Sequence, residues 1–276
     1  MTRTILAILK RELIKLSRDK MRLFMTIFMS ALFLFIFSFI TKSSLSNISQ
    51  PLNYLISGVV IMTVFQAAFT NSMQILEDIS SGFMKEILVA PVARYQIALG
   101  QVLASGLVSV AQGLVVFFLG FFLGFRPDFL HAVVMVPLMF LVGFTFGAMG
   151  LFLATVTRTS SRFQLLVTIV SLPLTFLSGA YIPTMMMPGF LMPIVLLNPL
   201  THATAVFRWM ALHMESLPVA ELIRNGVAFS FQGFTVTPAM SALLVLAMGI
   251  GFISLAVLKF RNADFSHVEI FKKGPH

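Results

Sequence analysis

Six stretches of nineteen residues or more, at 23–41, 43–76, 95–125, 129–157, 163–207 and 225–258, contain no Asp, Glu, Lys or Arg. A helix crossing hydrocarbon needs about twenty such residues, because no water is there to satisfy its backbone and charge is poorly tolerated. In the first stretch, twelve of the residues at 23–40 are Leu, Ile or Phe. Each favours insertion by roughly 0.3–0.6 kcal/mol, against roughly 2.5–3.5 kcal/mol lost per charge. Of the 276 residues, 58% are apolar and only 11% charged, too little charged surface to coat a soluble globule. That composition excludes a cytosolic enzyme and leaves no room for a separate soluble domain. The expected architecture is a single all-α polytopic membrane domain over 1–276. Its spans are expected at about 23–41, 52–73, 97–124, 131–156, 163–181 and 238–258, with 1–22 as a leader and 259–276 as a tail.

The fifth stretch is long enough for two spans. Residues 163–181 read as one helix loosened by Pro173. Beyond it, Pro183, Pro188, Pro193 and Pro199 punctuate 184–197, which is too short to cross. This piece is expected to be interfacial or re-entrant, followed by a short helix over 201–214. Parity agrees, since a seventh span would separate the two basic ends. With six spans, fifteen Lys and Arg lie on the side of the termini and four (Lys42, Arg126, Arg208 and Arg224) on the other. The positive-inside rule then places both termini in the cytoplasm and 182–237 outside. The same split accounts for the net charge of +9 without a nucleic acid.

The leader lacks the cleavage pattern of a signal peptide. Ile5, Leu9, Leu13 and Leu16 recur at helical spacing with Lys10, Arg11, Lys15 and Arg18 between them, as in a basic amphipathic helix lying on a membrane surface. None of the ten acids falls mid-span, which argues against ion coupling. No Gly is followed by Lys, so the phosphate-cradling G-x-x-x-x-G-K-[ST] loop is missing and any nucleotide engine must be another chain. Cysteine is absent, and the five histidines form no H-E-x-x-H pair, so no metal site is expected. A Ser178–His202 dyad in an intramembrane hydrolase is the remaining catalytic reading. Against it, small residues beside Gly are usually packing positions in membrane helices.

One mixed-charge segment lies between spans on the cytoplasmic side, running from Glu77 and Asp78 to Arg94. Phe83, Ile87 and Leu88 share a helical face, Lys85 and Glu86 point away, Gly82 lets the chain turn in and Pro91 ends the helix. A short amphipathic helix of this kind either docks into a groove on a soluble protein or serves as an interfacial linker.

The run Gly82-x-x-Lys85-Glu86-Ile-Leu88-Val-Ala-Pro91-Val-x-Arg94 resembles the first cytoplasmic loop of type-2 ABC transporter permeases, the membrane subunits of drug, lipid and polysaccharide exporters. Leu177-Ser-Gly179-Ala-Tyr-Ile-Pro183, then Leu197-Asn198-Pro199-Leu200-Thr201 and Arg208, resemble that family's exit from span five and its extracellular re-entrant helices. The resemblance covers essentially the whole chain. It implies a multi-pass protein of a prokaryotic cytoplasmic membrane, embedded in lipid. Two permease copies, identical or different, would form a dimer around a path, each resting on an ABC nucleotide-binding subunit that holds ATP and Mg; this chain itself binds no cofactor. Gly82, Phe83, Lys85, Glu86, Leu88, Pro91 and Arg94 would then belong to the coupling helix, with either Glu77 or Asp78 as the acid before it. Asn198, Pro199 and Arg208 would shape the turn that closes the outer side, or do no more than end one helix and start another.

Thirty Phe and eighteen Met against three Tyr and one Trp favour a drug-like or lipid-like amphiphile over a glycan or glycolipid, because Phe and Met offer deformable apolar surface without hydrogen-bonding handles. Phe is equally a good lipid-facing residue. On spans two and five, Phe65, Phe69, Phe163 and Phe176 are the candidates to line a substrate path.

Overall fold

The structure, a computed structural model, describes residues 2–44, 51–80, 92–157, 159–231 and 233–262. Helix α1 (Thr2–Arg18) is followed after Asp19 by α2 (Lys20–Ser44). Next come α3 (Pro51–Asn71), α4 (Met73–Ser80), α5 (Arg94–Phe122), α6 (Phe129–Thr157) and α7 (Ser160–Phe176). Two 3-10 turns then lead into α8 (Met192–Leu197), α9 (Pro199–Ala211) and α10 (Val219–Arg224), and α11 (Pro238–Asn262) is the last helix. A two-stranded antiparallel hairpin, β1 (Phe229–Phe231) with β2 (Phe234–Val236), departs from the all-α expectation. Gly233, at φ +83°, makes the turn between the two strands.

Among the described residues, four stretches are long and apolar enough to cross a membrane: Pro51–Asp78, Arg94–Phe122, Phe129–Thr157 and Pro238–Lys259. The pair Gly189–Leu197 and Pro199–Ala211, bent by 87°, makes a fifth if taken as one span. Helices α2 and α7 lie over the first and fifth charge-free stretches, α7 being 17 residues long. The protein is thus a mostly helical, multi-pass membrane protein.

Helix α3 occupies the middle, packed against α5, α6, α2 and α9, while α11 lies outermost against α6. The burial of the two ends of this series differs accordingly. The apolar window of Pro51–Asp78 is 78% buried and that of Pro238–Lys259 only 22%. In lipid, close helix packing replaces the hydrophobic drive, so small residues sit where backbones meet. At the α5–α6 crossing a Cβ on Gly143 would meet Gly106 Cα at 3.0 Å, and one on Gly147 would meet Ser105 Cβ at 2.8 Å.

Helix α1 packs one stripe against the bundle. Its buried residues are Ile8, Glu12 and Leu16, while Leu13 is exposed and Ile5 and Leu9 are half-buried. The stripe at i, i+4 and i+8 follows the groove offered by α5, where the Ile8 side chain lies against Gly100. Glu12 is carried into the interface with it, and cationic neighbours make its burial tolerable.

Candidate functional site

Two polar constructions stand at opposite ends of the bundle. At the end carrying α1, Arg11 Nη2 donates to Asp78 Oδ2 at 2.6 Å and to Glu12 Oε1 at 2.8 Å. Lys15 Nζ lies 3.6 Å from Glu12 and 3.9 Å from Asp78. Both carboxylates are buried. Burial opposes the Arg11 charge, but the hydrogen bond and charge of Asp78, together with those of Glu12, outweigh it and hold the guanidinium above its ordinary value. The next acid behaves differently: Glu77 is exposed and accepts from Gln74 Nε2 at 2.6 Å. Asp78, the second of the two acids before the 82–94 segment, is tied to α1 through Arg11 and Lys15. Gly82, Phe83, Lys85, Glu86, Leu88 and Pro91 lie outside the described residues; Arg94 is the exposed first residue of α5.

The opposite construction is built on helix-end chemistry. Helix α7 stops at Phe176, three residues after Pro173, leaving carbonyls without intrahelical donors. Side chains of α9 supply the donors. Asn198 caps α9, its Oδ1 accepting from Leu200 N at 2.9 Å, while its Nδ2 donates to Leu174 O at 2.9 Å. Thr201 Oγ1 donates to Leu177 O at 3.0 Å. Arg208, 1% exposed, donates from Nη1 to Gly179 O at 3.1 Å and from Nη2 to Ala180 O at 3.2 Å. Pro199 takes the first helical position, where a missing N–H costs nothing.

Tyr54 and Gly58 of α3 complete this lock, and neither was singled out by the sequence. The Tyr54 ring lies 3.4 Å below the Arg208 guanidinium, and its hydroxyl donates to Gly179 O at 3.3 Å. Gly58 leaves room for Ala180 O, which a Cβ there would strike. Gly179 adopts φ +77°, the left-handed conformation that turns the chain out of α7. Their partners lie more than a hundred residues away, beyond the reach of any local pattern.

The remaining candidates are placed as follows. Phe65, Phe69 and Phe163 are fully buried in one core cluster, Phe65 stacking on Phe69 at 5.5 Å and meeting Phe146 edge-on at 4.7 Å between ring centroids. Phe176 is 54% exposed and is not brought together with them. The Ser178–His202 dyad does not form. Ser178 Oγ bonds Thr175 O and Ala180 N, while His202 lies between Ser241 Oγ and Leu196 O at 3.0 and 2.8 Å. Among the described residues, Asp128, His131 and His213 bring metal-ligand atoms within 4.8 Å of one another.

A family model described as ABC-2 type transporter matches residues 3–212, a stretch that contains both constructions. The chain is 26% identical over 245 residues to the transport permease ycf38 of Cyanophora paradoxa, covering 87% of this chain and 82% of that one. It is 27% identical over 189 residues to the daunorubicin resistance ABC transporter permease protein DrrB1 of Streptomyces coeruleorubidus, covering 66% and 65%. With the inner membrane transport permease YadH of Escherichia coli K12 it shares 29% over 179 residues, covering 61% and 66%. The chain spans about two thirds of the length of these last two. With a family match over most of its helices, this chain belongs to the ABC-2 type transporter permeases.

Proposed function

We propose that the chain is the permease subunit of an ATP-driven exporter that moves a hydrophobic or amphiphilic, drug-like or lipid-like substrate outward. It has six spans in this reading, with both termini in the cytoplasm of a prokaryotic cell. A separate ABC nucleotide-binding subunit holds ATP and Mg and docks on Gly82, Phe83, Lys85, Glu86, Leu88, Pro91 and Arg94. A second permease copy completes the path.

One observation carries the coupling. The Pro51–Asp78 stretch bears Tyr54, stacked under Arg208, near one end and Asp78, paired to Arg11, at the other. These positions are 24 residues apart, about 36 Å along a helix, interrupted only at Ser72. A push on the segment after Asp78 therefore reaches the outer lock through a single packed rod, the most buried of the candidate spans. Nucleotide-driven movement of that segment tilts the rod, draws Tyr54 from Arg208 and frees the α7 exit.

The substrate class rests on the Phe and Met surface and on a relative named for daunorubicin resistance. The path along Phe65, Phe69, Phe163 and Phe176 belongs to the same proposal, and it requires the Phe65–Phe69–Phe146 stack to part during the cycle. Purification in mild detergent together with a nucleotide-binding subunit tests the reading. Two ATPase subunits per two permeases are expected. A permease that purifies alone and moves amphiphiles without ATP would overturn it.

A further inference from the structure

At the end of the bundle away from α1, four side chains of metal-ligand type converge from two distant segments. Asp128 and His131 stand at the start of α6, and His213 and Glu215 in the turn that follows α9. His131 Nε2 lies 3.2 Å from His213 Nδ1 and 2.9 Å from Glu215 Oε1. His213 Nδ1 lies 3.8 Å from Asp128 Oδ2.

Hydrogen bonding accounts for only part of this cluster, since one His131 ring nitrogen is left without a partner. If His131 Nε2 carries a proton, Glu215 at 2.9 Å and the His213 Nδ1 lone pair at 3.2 Å share it. If it carries none, its lone pair faces the Glu215 carboxylate at 2.9 Å. His131 Nδ1 has no hydrogen-bond partner in the protein, so Nε2 is the nitrogen engaged by its surroundings. A cation among Asp128, His131 and His213, whose ligand atoms all lie within 4.8 Å of one another, would take a lone pair from each. The spacing suits it as well: ligands about 2.0–2.1 Å from a tetrahedral zinc ion stand roughly 3.3 Å from one another. Two imidazoles and one carboxylate, with a fourth position open, favour a borderline divalent ion of the zinc type, whereas calcium and magnesium take oxygen ligands.

The backbone agrees. His213 is the only non-glycine residue with positive φ among those described, at +52°, a conformation that costs roughly 1–2 kcal/mol for a residue with a Cβ. The chain thus keeps an imidazole where Gly or Asn would be easier. From the residues and their geometry, we propose that Asp128, His131 and His213 bind one zinc-type divalent cation, with Glu215 beside His131, and that the ion staples the turn after α9 to the start of α6. Helix α9 carries Arg208, so the staple holds one wall of the lock against the bundle.

The test uses the full-length, tag-free protein, whose lack of cysteine removes thiolate background. Zinc is titrated against a chromophoric chelator, and cobalt(II) replaces it for visible spectroscopy. One equivalent per chain is expected, with the intense cobalt bands of a tetrahedral nitrogen–oxygen site, and magnesium should not compete. A His131→Ala, His213→Asn double variant, the Asn chosen to tolerate positive φ, should lose that equivalent and its bands. A His267→Ala, His276→Ala variant should keep both. A zinc-induced rise in thermal stability in the parent but not in the first variant reports the staple separately. Absence of a stoichiometric site in the parent, or a site surviving the first variant, would overturn the proposal.

Discussion

Replacing Tyr54 by Leu should open the outer lock more than removing the arginine that it supports. Arg208 is buried and its charge is met by two carbonyls and one aromatic face. A desolvated cation–π contact is worth about 2 kcal/mol, so Tyr54→Leu leaves a buried charge short by that amount. At about 1.4 kcal/mol per tenfold, the opening equilibrium rises about 30-fold. Arg208→Met removes the charge together with its desolvation cost. It leaves Ala180 O without that donor, at about 1–3 kcal/mol, while Gly179 O keeps the Tyr54 hydroxyl. The double variant has no orphan charge but leaves Gly179 O without either donor, so its effect should exceed that of Arg208→Met and fall below the sum of the two single variants. The assay is the rate at which an impermeant thiol reagent modifies a cysteine placed at Ala180, which is fully buried, in the otherwise cysteine-free chain. Equal rates for Tyr54→Leu and the parent, or simple additivity in the double variant, would refute the reasoning.

Asp78→Asn should loosen α1 and reduce transport several-fold in reconstituted vesicles, whereas the exposed Glu77→Gln should leave it within about twofold, as surface polar changes usually do. Gly58→Ala puts a methyl onto Ala180 O and should lower thermal stability by about 1–3 kcal/mol, read from unfolding in detergent. Cysteines at Ser46 and Gln232 should react from outside intact cells and one at Ser160 only after the membrane is opened; outside labelling at Ser160 would contradict the topology. Phe69→Ser with Phe176→Ser should weaken stimulation of the ATPase by amphiphiles while sparing its basal rate, and stimulation by soluble oligosaccharides instead would point to a glycan exporter.

How far the residues foretold this arrangement depends on the range of each interaction. The helices follow the charge-free stretches because insertion is decided locally, and the break between α8 and α9 falls at Asn198-Pro199, where the chain itself supplies a cap and a proline. Arg208 was marked by the family resemblance, yet its partners were not. Tyr54 lies 154 residues before it, and nothing near Tyr54 marks its ring as a cation's seat. The protein-facing stripe of α1, Ile8, Glu12 and Leu16, was not legible, because apolar periodicity alone cannot say which residues meet protein. Glu12 enters the interface through Arg11 and Asp78, a pairing across 67 positions. Likewise His131 and His213 carry no local motif, being 82 residues apart.

The central claim, that a separate ATPase drives this permease through the 82–94 segment, is tested most directly by transport in vesicles containing both subunits. ATP-dependent movement of an amphiphile should be lost in a Glu86→Lys, Pro91→Ala variant that inserts normally, and lost equally when the nucleotide-binding subunit is omitted. Full transport by that variant, or transport by the permease without its partner, would contradict the account.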